Sequence, residues 1–293
     1  MPAGEQIRKT STAPLLKVAM PQEVFHRLSD FIYTQCGIRM TAAKKTMLEA
    51  RLVKRMRAVG LTSFGEYCKY LFSPEGRTNE LAHMIDAVTT NKTDFFREPQ
   101  HFDFLVDRTL PELIRTSGAG IRRPLMTWSA ACSSGEEPYT IAMVLEEFSR
   151  NHRGFHYLVL GTDISTRVLD KAKEAIYDEE RIIPVAMDLR KRYLMKSKDP
   201  KRSEVRIAPE LRSKVKFRRL NFMDDDFGLR EKMDVIFCRN VLIYFDRSTQ
   251  EMVLRRLCDH LVPGGFLFTG HSETISGMDL PLKPVANTVS RRT

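Results

Sequence analysis

The residues WSAACSSGEEPY, numbers 128–139, contain the change of pattern that decides the fold. An apolar strand runs into a loop of small residues, and a helix begins at Glu136. Short apolar strands alternate with helices from here onward, which is typical of a mostly parallel sheet in an α/β domain. Upstream, NKTDFFRE at 91–98 sets polar and charged groups around an apolar pair. That spacing predicts a segment that covers a ligand cleft.

The α/β part is predicted to contain five strands and at least three helices. The helices fall at about 136–150, 166–176 and 248–261, and Pro263-Gly264-Gly265 is a stop signal for the last one. The strands are expected at Leu125–Ala131, Tyr157–Asp163, Val215–Asn221, Met233–Cys238 and Phe266–Gly270.

The chain is predicted to divide into four segments. Residues 1–20 are polar and without periodicity, which indicates a disordered tail. Apolar residues recur at helical spacing from about 21 to 90, so a small all-helical domain is expected there. A linker follows at 91–98, and 99–293 form the α/β domain.

The positive charge is concentrated in one segment. The formal net charge is +10, and residues 190–219 hold thirteen Lys or Arg against three acids, 13 − 3 = +10. Two β-prone pieces, Arg192–Met195 and Glu204–Ile207, predict a small antiparallel insertion there. Such a surface could attract an acidic protein, an anionic membrane or nucleic acid. A hairpin whose edges are guarded by Lys and Arg explains it equally well.

Composition excludes several classes of protein. The hydrophobic content of 42% is enough for one large core and a smaller one. Five cysteines, an odd number without Cys-x-x-Cys spacing, indicate reduced thiols rather than disulfides or a zinc site. No apolar run approaches the roughly 18 residues of a membrane span, and a signal peptide is absent, so we expect a cytoplasmic location.

The loop after the first strand predicts the kind of cofactor. Gly135 is its only glycine, and Glu136 and Glu137 put two negative charges at the helix start, where a pyrophosphate would need a positive end. A ligand with positive charge and no phosphate, such as S-adenosylmethionine, fits better. Asp163 ends the second strand, 163 − 135 = 28 residues later, where an acid can bind ribose hydroxyls.

Polar side chains also follow the fourth strand. Arg239, Asn240 and Tyr244 come after a buried run, at the end where open α/β sheets bind ligands. Enzymes that methylate base amines usually have Pro-Pro here, whereas this chain has Val241 and Leu242. That difference argues against base methylation.

Four motifs together resemble the CheR-type chemotaxis receptor methyltransferases: TTNKTDFFRE at 89–98, WSAACSSGEEPY at 128–139, FCRNVLIYFD at 237–246 and GHSE at 270–273. The resemblance covers about residues 21–290. It implies a Rossmann-like S-adenosylmethionine-dependent domain with a small antiparallel β-insertion, preceded by a helical domain. It also implies methylation of glutamate side chains on the cytoplasmic helices of chemoreceptors, with S-adenosylhomocysteine as product.

The resemblance also implies roles for individual residues. Arg97 and Tyr244 would be catalytic, nearest the transferred methyl and the acceptor carboxylate. The basic helix would be the face that meets the receptor, through Lys44, Lys45, Arg51, Lys54, Arg55 and Arg57. Cofactor contacts are expected from Asn91, Thr93, Arg97, Glu137, Asp163, Asn221, Phe222, Arg239 and Asn240.

Other histidine-containing groups bear on alternative functions. His271, Ser272 and Glu273 are adjacent on one strand end and cannot converge as a hydrolytic triad. His152 and His156 lack a third ligand, so no metal is expected; we also expect a monomer. A nucleic-acid methyltransferase using the basic segment, another protein methyltransferase and a catalytically silent S-adenosylmethionine-binding regulator stay open as alternatives.

Overall fold

The computed structural model describes residues 19–293. The predicted tail at 1–20 lies outside the described residues except for its last two. Of these, Met20 is 1% exposed and packs in the helical core.

Five helices form the N-terminal part. The third helix begins with a capping box. The Ser63 hydroxyl accepts a hydrogen bond from the Glu66 amide, and the Glu66 carboxylate accepts one from the Ser63 amide. Their apolar faces meet in one core that includes Leu28, Leu48 and Tyr67. The helices are α1 Gln22–Cys36, α2 Lys45–Ala58, α3 Phe64–Phe72, α4 Pro74–Asn79 and α5 Leu81–Val88, with a 3-10 turn at Ala42–Lys44 before α2.

A buried carboxylate holds this helical part together. Glu80 is 1% exposed, and its oxygens accept hydrogen bonds from Arg55 at 2.8 and 2.6 Å. The Tyr67 hydroxyl donates a third at 2.9 Å. Three donors from α2 and α3 therefore compensate the burial of one charge.

Two helices lead from the linker into the α/β part. The helices of this part are α6 Gln100–Phe104, α7 Leu110–Ser117, α8 Glu136–Asn151, α9 Thr166–Glu174, α10 Met187–Tyr193, α11 Pro209–Lys214 and α12 Arg247–His260. A π-helical segment, Leu105–Thr109, joins α6 to α7.

Seven strands of this part form one sheet. They are β1 Leu125–Ala130, β2 Tyr157–Asp163, β6 Val215–Arg219, β7 Met233–Cys238, β8 Leu261–Thr269, β9 Leu282–Ala286 and β10 Val289–Arg292. The order across the sheet is β6-β2-β1-β7-β8-β10-β9; the first five strands are parallel, and β10 and β9 form an antiparallel edge.

The predicted fold class is confirmed, but the predicted stop signal of the last helix is wrong. The sequence predicts that Pro263-Gly264-Gly265 ends the last helix, but α12 ends at His260 and β8 starts at Leu261. The three residues lie inside β8, where the pairing with β7 shifts register between Met233 and Val235. Proline and glycine are tolerated there because a bulge leaves ladder positions unpaired.

The small antiparallel sheet is present but begins earlier than the basic segment. Its order is β3-β5-β4, with β3 at Ile176–Asp178, β4 at Leu194–Lys196 and β5 at Glu204–Ile207. The β-prone piece predicted at Arg192–Met195 is helical as far as Tyr193. The insertion therefore spans about 176–207, and the last part of 190–219 belongs to α11 and to β6 of the large sheet.

Acids outside the basic segment neutralise part of its charge. Arg192 is 2.6 Å from Glu147 and 2.9 Å from Asp188, and Lys214 is 3.0 Å from Glu146. Lys196 pairs with Glu179 at 3.1 Å. The local surface is thus less positive than the count within 190–219 suggests.

All five cysteines are buried and free. Burial raises the pKa of Cys36 and Cys258 to about 11, which keeps both thiols protonated at neutral pH. Within residues 19–293, none of the helices combines the length and the apolar character that a membrane crossing requires.

We predict that Arg55→Ala lowers the free energy of unfolding by about 3–5 kcal/mol, because it leaves the buried Glu80 carboxylate without its charged partner. The matched control is Lys54→Ala, an exposed neighbour on the same helix, which should change stability by less than about 0.5 kcal/mol. Urea denaturation measures both. Equal effects of the two variants would contradict a structural role for the Arg55–Glu80 pair.

Candidate active site

A cavity opens where the carboxyl ends of β1, β2 and β7 meet. Parallel strands that reverse order at this point leave such a crevice in open α/β sheets. The structure brings together here every residue for which the sequence analysis expects a catalytic or cofactor role. They are Asn91, Thr93, Arg97, Glu137, Asp163, Asn221, Phe222, Arg239, Asn240 and Tyr244.

The loop after β1 forms the floor in a conformation that few residues adopt. Ala131 and Ser133 have φ of 66° and 50°, and both line the cavity. Gly135, at φ 95°, ends the loop; a Cβ there would lie 2.8 Å from Ala172 Cβ. Glycine is required for this close approach, and no second glycine is needed because no phosphate has to contact the loop.

Only one of the two acids that start α8 lines the cavity. Glu137 accepts a hydrogen bond from Ser129 at 2.6 Å and lies 3.2 Å from the Arg239 guanidinium. Burial raises the pKa of Glu137, although Arg239 and Ser129 act in the opposite direction. Glu136 turns away from the cavity to Arg181, at 2.5 Å.

Asp163 at the end of β2 is 6% exposed and held by the backbone. Its two oxygens accept hydrogen bonds from the Ser133 amide at 2.8 Å and the Ser165 amide at 2.9 Å. Burial raises the pKa of Asp163, while these amides partly offset the effect. A carboxylate has about four acceptor positions, so Asp163 retains capacity for hydroxyl donors.

Arg239 and Asn240 close the wall after β7. Arg239 donates to the Arg97 carbonyl at 2.5 Å, and Asn240, at φ 59°, donates to Glu98 at 3.1 Å. Glu273 stabilises this turn, because its carboxylate accepts hydrogen bonds from the amides of Asn240, Leu242 and Gly270 at 2.7–2.9 Å. The GHSE motif thus supports the turn through its glutamate.

The opposite wall is apolar and reaches into the helical part. Phe222 is 8% exposed and lines the cavity beside Leu220. Asn221 donates to the Gln35 carbonyl of α1 at 2.7 Å, so its amide nitrogen fastens the two parts of the chain together. The sequence analysis missed Cys36 and Ile38, which also line the cavity from the helical part. No sequence motif connects them to it.

The linker 91–98 forms the third side. The Ser133 hydroxyl donates to the Asn91 carbonyl at 2.9 Å, which ties the linker to the floor. Arg97 donates to the Lys92 carbonyl at 3.3 Å, so the segment folds back on itself. Thr93, within this segment, is 9% exposed.

Arg181 binds the linker on the side away from the cavity, and no sequence motif predicts this contact. It lies on a 3-10 turn at Glu179–Ile182 of the β-insertion. Its guanidinium donates to the Thr93 carbonyl at 2.7 Å and contacts Asp94 at 3.4 Å, beside its pair with Glu136. The β-insertion is therefore fastened directly to the chain that lines the cavity.

The basic helix α2 presents fewer free cations than the sequence suggests. Arg51 donates to the carbonyls of Val88 and Thr89 and to the Thr90 hydroxyl, and Arg55 pairs with Glu80. Lys44 donates to the Arg39 carbonyl and Lys45 to the Gln22 side chain, both near the surface. Lys54 and Arg57 are exposed.

Chemically, the cavity combines a buried carboxylate, Asp163, and a half-buried one, Glu137, with an apolar wall. Glu137 and Asp163 can accept from ammonium or hydroxyl donors, and Phe222 with Leu220 can cover a flat ring. Phosphate is a poor match, because Glu137 occupies the helix start that would otherwise bind it. The residues present fit S-adenosylmethionine, which carries an ammonium group, ribose hydroxyls and an adenine.

Two family models match the chain. The model described as "CheR methyltransferase, SAM binding domain" matches residues 91–290, and "CheR methyltransferase, all-alpha domain" matches 23–89. Chemotaxis protein methyltransferases of Borreliella burgdorferi and Escherichia coli K12 are each 40% identical to the chain. The alignment with the Borreliella burgdorferi protein covers 89% of this chain and 92% of that relative. The alignment with the Escherichia coli protein covers 90% of this chain and 88% of that relative.

Chemotaxis protein methyltransferase 2 of Pseudomonas aeruginosa is 37% identical over 92% of each chain. The matches extend across both the helical and the α/β parts, in the same order. The chain belongs to the CheR methyltransferase family and is an S-adenosylmethionine-dependent methyltransferase.

Proposed function

We propose that the enzyme transfers a methyl group from S-adenosylmethionine to glutamate side chains on the cytoplasmic helices of chemoreceptors, giving glutamyl methyl esters. The observation that carries the proposal is the convergence of ten residues, singled out by family resemblance, on one cavity. The names of the relatives, chemotaxis protein methyltransferases, support the substrate class. The proposal places the enzyme in the cytoplasm, where those helices lie.

For the cofactor, we assign roles by matching each group to its chemistry. Asp163 would accept from the ribose hydroxyls, and Glu137 would accept from the ammonium of the methionine part. Phe222 and Asn221 would lie by the adenine. Asn91, Thr93 and Arg97 of the linker would cover the cofactor, with Arg239 and Asn240 at its far end.

The reaction needs no general base. S-adenosylmethionine, when bound, supplies an electrophilic methyl on a sulfonium. A free glutamate carboxylate has a pKa of about 4.3, so at neutral pH it is already the nucleophile. The protein's task is to align the carboxylate with the methyl and exclude water, and alignment of this kind supplies roughly 7–11 kcal/mol.

Arg97 and Tyr244 are the side chains that we assign to the acceptor carboxylate. Burial of a carboxylate raises its pKa and favours the protonated, unreactive form. A guanidinium and a phenol beside it oppose that change by donating hydrogen bonds to the anion. Tyr244 follows β7 on a 3-10 turn, Leu242–Tyr244, at the cavity mouth.

We further propose that the helical domain, 21–90, docks the receptor through α2, while 91–98 and 99–293 carry the cofactor site. Lys44, Lys45, Lys54 and Arg57 are the residues whose charge could face an acidic receptor helix. Arg51 and Arg55 would stabilise that face without contacting the receptor. The Arg51 guanidinium binds the Thr89 carbonyl, and the Arg55 guanidinium binds Glu80, both inside the domain.

The first prediction is transfer of label from methyl-labelled S-adenosylmethionine to a receptor cytoplasmic fragment, with release of the label as volatile methanol in mild alkali. An ester gives this result because hydroxide cleaves it. Alkali-stable label would indicate nitrogen methylation and overturn the proposal. A fragment with glutamates changed to alanine is the control. Cofactor binding without transfer to any fragment would favour a silent regulator.

The second prediction concerns Tyr244→Phe. We expect turnover to fall by about tenfold or more and the dissociation constant for S-adenosylmethionine to change by less than about twofold, because the hydroxyl acts on the acceptor. Isothermal titration and steady-state rates measure the two quantities. Tyr33→Phe is the matched control, since its hydroxyl binds Asp246 outside the cavity. Weak cofactor binding with normal turnover would contradict the assignment.

The third prediction tests docking by charge reversal. The double variant Lys54→Glu with Arg57→Glu should raise the KM for the receptor fragment by about tenfold at low salt and leave kcat unchanged, since exposed charges steer association. The difference should shrink as salt is added. Arg108→Glu with Arg115→Glu makes the same charge change on exposed residues of the α/β domain. If both doubles raise KM equally, α2 is not the specific docking face.

A further inference from the structure

Three metal-ligand groups converge beside the cavity, behind the turn after β7. They are Glu98 at the end of the linker, His101 on α6 and His271 after β8. One ligand atom of each lies within 4.8 Å of the other two. His101 Nδ1 is 3.5 Å and His271 Nε2 is 3.9 Å from the same oxygen, Glu98 Oε2.

The Thr288 hydroxyl favours one tautomer of His101. It lies 2.6 Å from the Asn287 carbonyl, and that carbonyl can only accept, so the hydroxyl can use its proton there. His101 Nε2 is 2.7 Å from the same hydroxyl oxygen, and a proton on Nε2 satisfies both contacts. With its one proton on Nε2, the neutral ring presents a lone pair at Nδ1.

Two buried acceptors consequently face each other. Within residues 19–293, neither Glu98 Oε2 nor His101 Nδ1 has a hydrogen-bond partner, although both are buried. Arg239 does not fill the gap: it is 3.9 Å from Glu98 Oε2 and donates to the Arg97 carbonyl. A buried acceptor without a donor is destabilising, so the site favours a cation between them.

The charges around the site permit a cation. Glu98 accepts a hydrogen bond from Asn240 at 3.1 Å and lies 3.9 Å from the Arg239 guanidinium. The carboxylates of Glu98, Glu137 and Glu273 are three negative charges against the two positive charges of Arg239 and Arg97. One net negative charge is left for an added ion to balance.

We propose that Glu98, His101 and His271 form a binding site for one divalent transition-metal ion of the zinc type. Two imidazoles and a carboxylate are a common zinc donor set. Tetrahedral ligands at about 2.1 Å from zinc are about 3.4 Å apart, close to the separations of 3.5 and 3.9 Å seen here. Outer partners are already in place, Thr288 behind His101 and Asn240 behind Glu98.

The proposed ion would brace the cofactor wall rather than take part in methyl transfer. It would join the end of the linker to the loop after β8, next to Asn240. The expectation of no metal, drawn from His152 and His156, did not consider these residues. His101 and His271 are 271 − 101 = 170 positions apart, and only the packing of α6 against the sheet brings them together.

The test is titration of chelator-treated full-length protein with zinc chloride in competition with a chromophoric chelator. We expect one zinc ion per chain and a zinc-dependent rise in melting temperature. His271→Ala and Glu98→Gln should each weaken zinc binding by at least about tenfold. His271 is 46% exposed at its side chain, so its removal should leave the metal-free protein folded. His83→Ala, which removes an exposed histidine elsewhere, is the control.

Two outcomes would overturn the site: no saturable zinc binding by the wild-type protein, or equal zinc affinity in His271→Ala and His83→Ala. Both leave the proposed methyl transfer unaffected, because they are read without receptor or S-adenosylmethionine. Bound Co²⁺ gives an independent measure: its visible absorption should report nitrogen ligands in the wild type and change in His271→Ala.

Discussion

The buried guanidinium of Arg239 is the interaction on which the site depends. It is 6% exposed, lies between Glu137 and Glu98, and donates to the Arg97 carbonyl. Three segments that are distant in sequence meet there: the end of β7, the start of α8 and the linker. Without its positive charge, two carboxylates would be buried close together, and like charges in a poorly hydrated site repel strongly. The linker is thus positioned by electrostatics as much as by packing.

Much of the fold and the cavity could be predicted because the signals are local. β2 and β7 are mainly apolar strands, and their observed ends match the prediction. Asp163 ends β2 and Arg239 directly follows β7, so their places at the sheet edge follow from the topology. Arg181 could not be found this way, since its contacts with Thr93 and Glu136 depend on how the β-insertion packs. The stop signal expected at Pro263-Gly264-Gly265 is wrong because proline and glycine are typical both of helix ends and of irregular positions in a strand such as β8.

Charge counting had a similar limit. A sum over residues 190–219 identifies a basic segment, yet Glu146 and Glu147 of α8 lie against it and neutralise Lys214 and Arg192. The same holds on α2, where Arg55 is committed to Glu80. In both places a cation that appears free in the sequence stabilises tertiary structure. Only pairing in three dimensions distinguishes a docking surface from an internal support.

Arg51 gives α2 a direct link to the chain that lines the cavity. Its guanidinium leaves α2 and binds the carbonyls of Val88 and Thr89 and the hydroxyl of Thr90, the residues that directly precede the linker. Under the proposed docking, a receptor helix on α2 and a cofactor under the linker would act on opposite ends of one arginine. Linkage requires that any free energy carried across it act equally in both directions. Under that proposal, receptor affinity would differ between the cofactor-loaded and the empty enzyme.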